Sequence, residues 1–159
     1  MCGIVGLYLK NSELQAQLGS MFQPMLVEMS SRGPDSAGVA IYRNPVESGQ
    51  TKFSLAHDDP EFSWKTLQTE MAATLQGSVS IKTVGTHCIL VTDAEEAKVV
   101  RWLKNSQSEI LIVGSGKSIE IFKEVGPPET VYQQFNLSQA SGTHIIGHTR
   151  MATESAVTT

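Results

Sequence analysis

Hydrophobic and polar positions change period several times along this chain, and each change marks an element. Ile4-Val5 and Leu7-Tyr8-Leu9 make a short apolar run that reads as a buried strand. From about residue 12 to 31, Leu14, Leu18, Met21, Met25 and Met29 recur at helical spacing, which predicts an amphipathic helix opened by a capping box of Ser12 and Gln15. The methionine stripe reads as core packing. Pro24 falls inside this helix and is expected to kink or divide it, because proline lacks the N–H and crowds the preceding turn. Strands are predicted at 37–42 and 52–57, joined by a hairpin turn over 44–50.

From Asp58 the character becomes mixed. A helix is predicted from Asp59-Pro60-Glu61 to about residue 76, then strands at 79–84 and 87–92. A second helix over 94–105 carries Glu95, Glu96, Lys98, Arg101 and Lys104 as a solvated face. Strands at 110–113 and 119–122 read as a hairpin closed by Gly114-Ser115-Gly116-Lys117. Pro127-Pro128-Glu129 opens a helix to about residue 140, Ser141-Gly142 breaks it, and a strand over 143–147 runs into His148-Thr149-Arg150.

Composition narrows the class. A chain of 159 residues, 40% hydrophobic and 18% charged, is an ordinary soluble globular chain of one domain, with room for a sizeable insertion. A net charge of −4 without a Lys/Arg cluster argues against nucleic acid as partner. Cys2 and Cys88 make no disulfide framework, and a protein that uses Cys2 as a thiolate belongs in a reducing compartment, so the expectation is cytoplasmic. The N-terminus lacks the basic region of a signal peptide, and no apolar run reaches the length of a membrane span.

Cys2 is the residue with most chemistry to offer. A small second residue lets an aminopeptidase remove Met1, which leaves a thiol and a free α-amine on one residue, a nucleophile and a base together. The thiol titrates near roughly 8.5 and the amine near roughly 8, so the amine can take the thiol's proton near neutral pH. Taken alone, the same letters also describe a core strand whose second residue is a buried cysteine.

Three motifs in order change that balance: Cys2-Gly3-Ile4-Val5-Gly6, Arg32-Gly33-Pro34-Asp35-Ser36-Ala37-Gly38 and Gly147-His148-Thr149-Arg150-Met151-Ala152-Thr153. Together they resemble the class II glutamine amidotransferases, N-terminal-nucleophile hydrolases that release ammonia from L-glutamine. The finer similarity is to the amidotransferase subunits of glutamate-synthase-like and N-methylglutamate-synthase-like systems. The resemblance implies an α+β fold, an αββα sandwich of two antiparallel sheets between helical layers. Here it would occupy residues 2–159, incomplete at its C-terminal side and carrying an α/β insertion over 58–126.

The resemblance also implies roles. Cys2 would attack the side-chain amide to form a γ-glutamyl thioester. Arg150 would bind the glutamine carboxylate, a role that suits a planar guanidinium better than an ammonium. Thr153 falls in the family's substrate loop, and Met151 replaces the aromatic residue many members carry, leaving backbone contacts to the substrate. Arg32 and Asp35 read as structural support through an ion pair or turn hydrogen bonds, and His148 as a residue that orients the clamp. No cofactor is implied. The expected partner is a glutamate-synthase-like or other synthase that accepts the ammonia.

Other signals are weak. Gly114-Ser115-Gly116-Lys117-Ser118 looks like part of a phosphate loop, but Leu111 stands where its first glycine belongs. His57, His87, His144 and His148 have no metal-ligand spacing. The family's downstream Asn-Gly oxyanion donors and amino-group-binding aspartate have no counterpart up to Thr159. The expectation is therefore part of a longer protein, with a half supplied by another chain or a loss of activity as alternatives. A non-catalytic glutamine-binding or assembly subunit is the competing function, and a hydrolase for another amide or an acyl-amino acid the third.

Overall fold

A computed structural model of the chain describes residues 2–152. In chain order its strands and α-helices are β1 (Gly3–Tyr8), α1 (Leu18–Glu28), β2 (Ser36–Tyr42), β3 (Thr51–Ala56), α2 (Trp64–Leu75), β4 (Val79–Val84), β5 (His87–Thr92), α3 (Glu96–Ser106), β6 (Leu111–Gly116), β7 (Ile119–Val125), α4 (Pro128–Gln134) and β8 (His144–Arg150). Short 3-10 turns at Ser12–Gln17, Met29–Arg32 and Leu137–Gln139 flank the helices. The strands form two four-stranded sheets, ordered β1-β8-β2-β7 and β4-β5-β3-β6. The fold is α+β, and the chain divides into two compact units, residues 1–44 with 121–159, and residues 45–120.

In the first unit the sheet packs α1 against one face. Burial alternates strictly along β2 and along β8 after its first residue, so Ala37, Val39, Ile41, Ile145 and Thr149 point inward. Gly147 sits beneath α1, where a Cβ would lie 2.7 Å from the Phe22 ring and 2.8 Å from Leu26. Only a residue without a side chain lets the helix lie that close. Phe22 and Leu26 are fully buried there, each removing an apolar side chain from water, worth about 1.5–3 kcal/mol.

The predicted helix over 12–31 is instead a 3-10 turn, α1 and a second 3-10 turn. Its cap is Asn11, whose Oδ1 accepts from the Glu13 N–H at 3.0 Å, rather than a Ser12/Gln15 box. Pro24 does not divide α1. Both Pro24 and Ser20 are exposed, so the carbonyl left without a proline N–H faces water.

The second unit runs β3-α2-β4-β5-α3-β6 with β3 pairing antiparallel to β5 and β6 and β4 antiparallel to β5, the connectivity of a split βαβ, ferredoxin-like sheet. Its core gathers Phe53, Leu55, Trp64, Leu67, Met71, Leu90, Val99 and Leu103. Ser63 caps α2, its Oγ accepting from the Thr66 N–H. Lys52 Nζ and Glu120 Oε1 form a buried ion pair at 2.9 Å.

Both predicted hairpins are corrected here. β2 and β3 belong to different sheets, and so do β6 and β7. Gly114 and Gly116 lie within β6 rather than in a turn, and β6 pairs with β3 while β7 lies beside β2. Adjacent strands separated by Gly-rich segments look like hairpins locally, but long-range burial chose other partners. The compact unit accordingly starts at Pro45, because β3 is its central strand, and closes at Glu120.

Candidate functional site

The site grows from the central strand of the first sheet. β8 pairs with β1 on one side and with β2 on the other, with Gly3 opposite Thr149 and Ser36 opposite Arg150. Cys2 directly precedes β1 and Arg150 ends β8, so both leave the ladder at the same end. Cys2 is exposed.

Residues directly opposite in an antiparallel pair share a face. The face turned away from α1 therefore carries Tyr8, His144 and Tyr42 in one row, Gly6, Ile146 and Ala40 in the next, then Ile4, His148 and Gly38, with Arg150 and Ser36 at the end nearest Cys2 in the register. The first row is aromatic: His144 stacks on Tyr42 at 3.8 Å between ring centroids and tilts toward Tyr8 at 5.7 Å. Ile4, Tyr8 and Ile146 are 74%, 64% and 42% exposed, an apolar surface that this unit's own helices do not cover.

A cavity of about 410 Å³ opens on this face, lined by β2 from Ser36 to Ala40, by Ile121, Lys123 and Glu124 of β7, and by Ile146, His148 and Arg150 of β8. It brings a guanidinium, an imidazole and an ammonium around a largely apolar floor. Cys2 lies outside this lining. The Lys123 stem lies over Gly38, where a Cβ would be 2.9 Å from Lys123 Cγ. Lys123 and Glu124 were not legible from sequence, because their strand was read as half of a local hairpin.

The turn after α1 holds the end of β8. Thr149 is buried and its Oγ1 donates to the Met29 carbonyl at 3.2 Å. Gly33 packs directly on the Arg150 main chain: a Cβ there would sit 2.5 Å from the Arg150 nitrogen. The Asp35 N–H donates to the Arg150 carbonyl at 3.1 Å, and Asp35 Oδ2 accepts from the Ala152 N–H at 2.7 Å. The support expected of Asp35 is thus hydrogen bonding to main chain. Among the described residues Arg32 makes no ion pair with Asp35; it ends the 3-10 turn, exposed, with its Cβ against Gly3.

His148 shares the cavity face with Arg150, and among the described residues its ring makes no hydrogen bond to Arg150 or to any other residue. Met151 follows β8 and is partly exposed, and Thr153 lies outside the described residues. In the second unit, burial pushes the Cys88 thiol from 9.0 up to about 12, so it stays protonated at neutral pH. Among the described residues no three His, Cys, Asp or Glu side chains gather as a metal would need, and no helix is long and apolar enough to cross a membrane.

No protein-family model matches the chain. It is 45% identical over 161 residues to the glutamine amidotransferase-like protein GlxB of Rhizobium meliloti, an alignment that takes in 100% of this chain and 52% of that protein. It is 29% identical over 165 residues to a Methanothermobacter thermautotrophicus protein provisionally named a glutamine amidotransferase, covering 99% of this chain and 54% of the relative. The chain is therefore similar along its whole length to glutamine amidotransferase-like proteins, and it spans about half the length of these curated relatives.

Proposed function

We propose that this chain is the glutaminase part of a class II glutamine amidotransferase, with Cys2 as its N-terminal nucleophile. The observation that carries the reading is the strand register, which sends Cys2 and Arg150 out of the same end of one sheet. The similarity to glutamine amidotransferase-like proteins supports glutamine as substrate.

Once Met1 is removed, the α-amine takes the Cys2 thiol proton and the thiolate attacks the glutamine side-chain carbonyl carbon. As the C–N bond breaks, that proton goes to the leaving nitrogen and ammonia departs. The remaining γ-glutamyl thioester is hydrolysed by water to glutamate, which restores the thiol. Arg150, a forked donor at the end of a central strand, binds the substrate carboxylate. Ammonia protonates in water, so the proposal includes a partner synthase of the glutamate-synthase-like kind as acceptor.

The proposal extends to the fold. The two-layer arrangement of helices and sheet in the first unit forms half of an αββα sandwich, and its open face of Ile4, Tyr8 and Ile146 is the surface that a second sheet would cover. Relatives about twice as long support such an added layer.

One observation favours a second reading, a glutamine-binding subunit without chemistry: the cavity is lined by Arg150 and His148 and not by Cys2. Intact-mass analysis of the chain before and after a glutamine-like diazo-ketone separates the two. Loss of Met1 and a single adduct that disappears in Cys2→Ala is the expected result. A chain that binds glutamine reversibly but takes no adduct would establish the binding reading instead.

A further inference from the structure

We propose that Asp35 is a positioning residue for Arg150, acting on the main chain around the guanidinium and not on the substrate. The inference rests on the glutamine reading above and deepens it. β8 ends at Arg150, so the ladder holds that residue from one direction alone. The last residue of a strand frays most easily, and a guanidinium on a long stem is only as well placed as its Cα.

Asp35 counters this at three points. Its N–H donates to the Arg150 carbonyl at 3.1 Å, and its carboxylate accepts from the Ala152 N–H at 2.7 Å, so the two bonds bracket Met151 and continue the constraint past the end of the strand. Its own carbonyl accepts from the Gly126 N–H at 2.8 Å, which ties the bracket to the turn after β7. Gly33, two residues earlier, lies flat on the Arg150 main chain, so the segment 33–35 grips the end of β8 from one side.

The carboxylate's task here is to accept a hydrogen bond at a fixed place, and an amide oxygen can do the same. Asparagine should therefore replace Asp35, and alanine should not. A misplacement of about 1 Å in a positioning group costs on the order of 100-fold, so the effect should be plain in substrate binding.

The test uses the full chain with Met1 removed and measures the rate of Cys2 labelling by a glutamine-like diazo-ketone against its concentration. Asp35→Ala should raise the half-saturating concentration about 10-fold or more and leave the limiting rate within about 3-fold. Asp35→Asn should restore it. The Ala152 amide should exchange with solvent faster in Asp35→Ala and at the wild-type rate in Asp35→Asn.

Asp35→Glu, one methylene longer, serves if the alanine variant does not fold, and should show the same split in smaller measure. An unchanged half-saturating concentration in a labelled alanine variant, or an asparagine variant as impaired as alanine, would overturn the assignment. A wild-type chain that takes no label overturns the glutaminase reading, and is distinguished by failing before any variant is compared.

Discussion

Two antiparallel sheets in this one chain use apolar residues in different ways. Along β8 buried and open positions alternate, so one face packs on α1 and the other is left for a cavity, an imidazole and a guanidinium. Along β3 and β5 five of six residues are buried in each strand, on both faces. A strand buried on both faces has nothing to offer a ligand, while an alternating one keeps half of its side chains for chemistry. Substitutions should divide accordingly, with changes in the second sheet read in stability and changes on the open face of the first read in function.

The largest effect tests the second sheet. Removing one partner of the buried Lys52–Glu120 pair takes its ion contact from a buried charge, so Glu120→Ala should cost about 3–5 kcal/mol in urea unfolding. The double change Lys52→Met with Glu120→Leu should recover most of that loss. If the single change were as mild as a surface substitution, the contrast between the sheets would break on the second one.

The open face supplies the converse. Arg150→Lys keeps the charge but loses the forked donor, so the half-saturating concentration of a glutamine analogue should rise about 10-fold. The urea midpoint should stay put. A parallel loss of stability would show that Arg150 is part of the first unit's framework.

A smaller effect appears only in alkali. Folded Cys88 holds its proton to about 12, whereas the unfolded thiol releases it near 9.0. Between those values the unfolded state binds fewer protons, so the stability, complete below pH 9, falls as pH rises by about 1.4 kcal/mol per unit. Comparing urea unfolding of the wild type and Cys88→Ala from pH 8 to 10.5 isolates this slope, because the other titrating groups are common to both. Equal slopes would mean that water reaches the second sheet's core.

Much of the site was legible because it lies in contiguous motifs at strand ends. The apolar run after Cys2 and the segment over 143–147 both read as strands and both are strands, but the first is exposed at Ile4 and Tyr8 rather than buried, and the second runs on to Arg150. The roles around them were less legible. Asp35 reads as a turn residue, but the N–H that donates to its carboxylate, at Ala152, lies more than a hundred residues away, and no local pattern records that bond. Gly33 stands in the sequence only as part of the motif from Arg32 to Gly38, and the close approach of its backbone to Arg150 is visible only in three dimensions. Lys123 lacked any signal, since its place in the cavity depends on β7 joining the first sheet.

By itself the sequence determined the local periods, hence most strands and the existence of the helices, and it determined the order in which the motif-bearing segments appear. These follow from side-chain alternation and backbone propensity within a few residues. Tertiary structure alone decided which strands pair, where the inserted unit begins and which sheet face stays open. Those outcomes depend on burying apolar area between segments far apart in the chain, a free energy that outweighs the preference of neighbouring strands for a hairpin. β1 and β8, at opposite ends of the described chain, meet for that reason, and their meeting carries Cys2 and Arg150 to one end of one sheet.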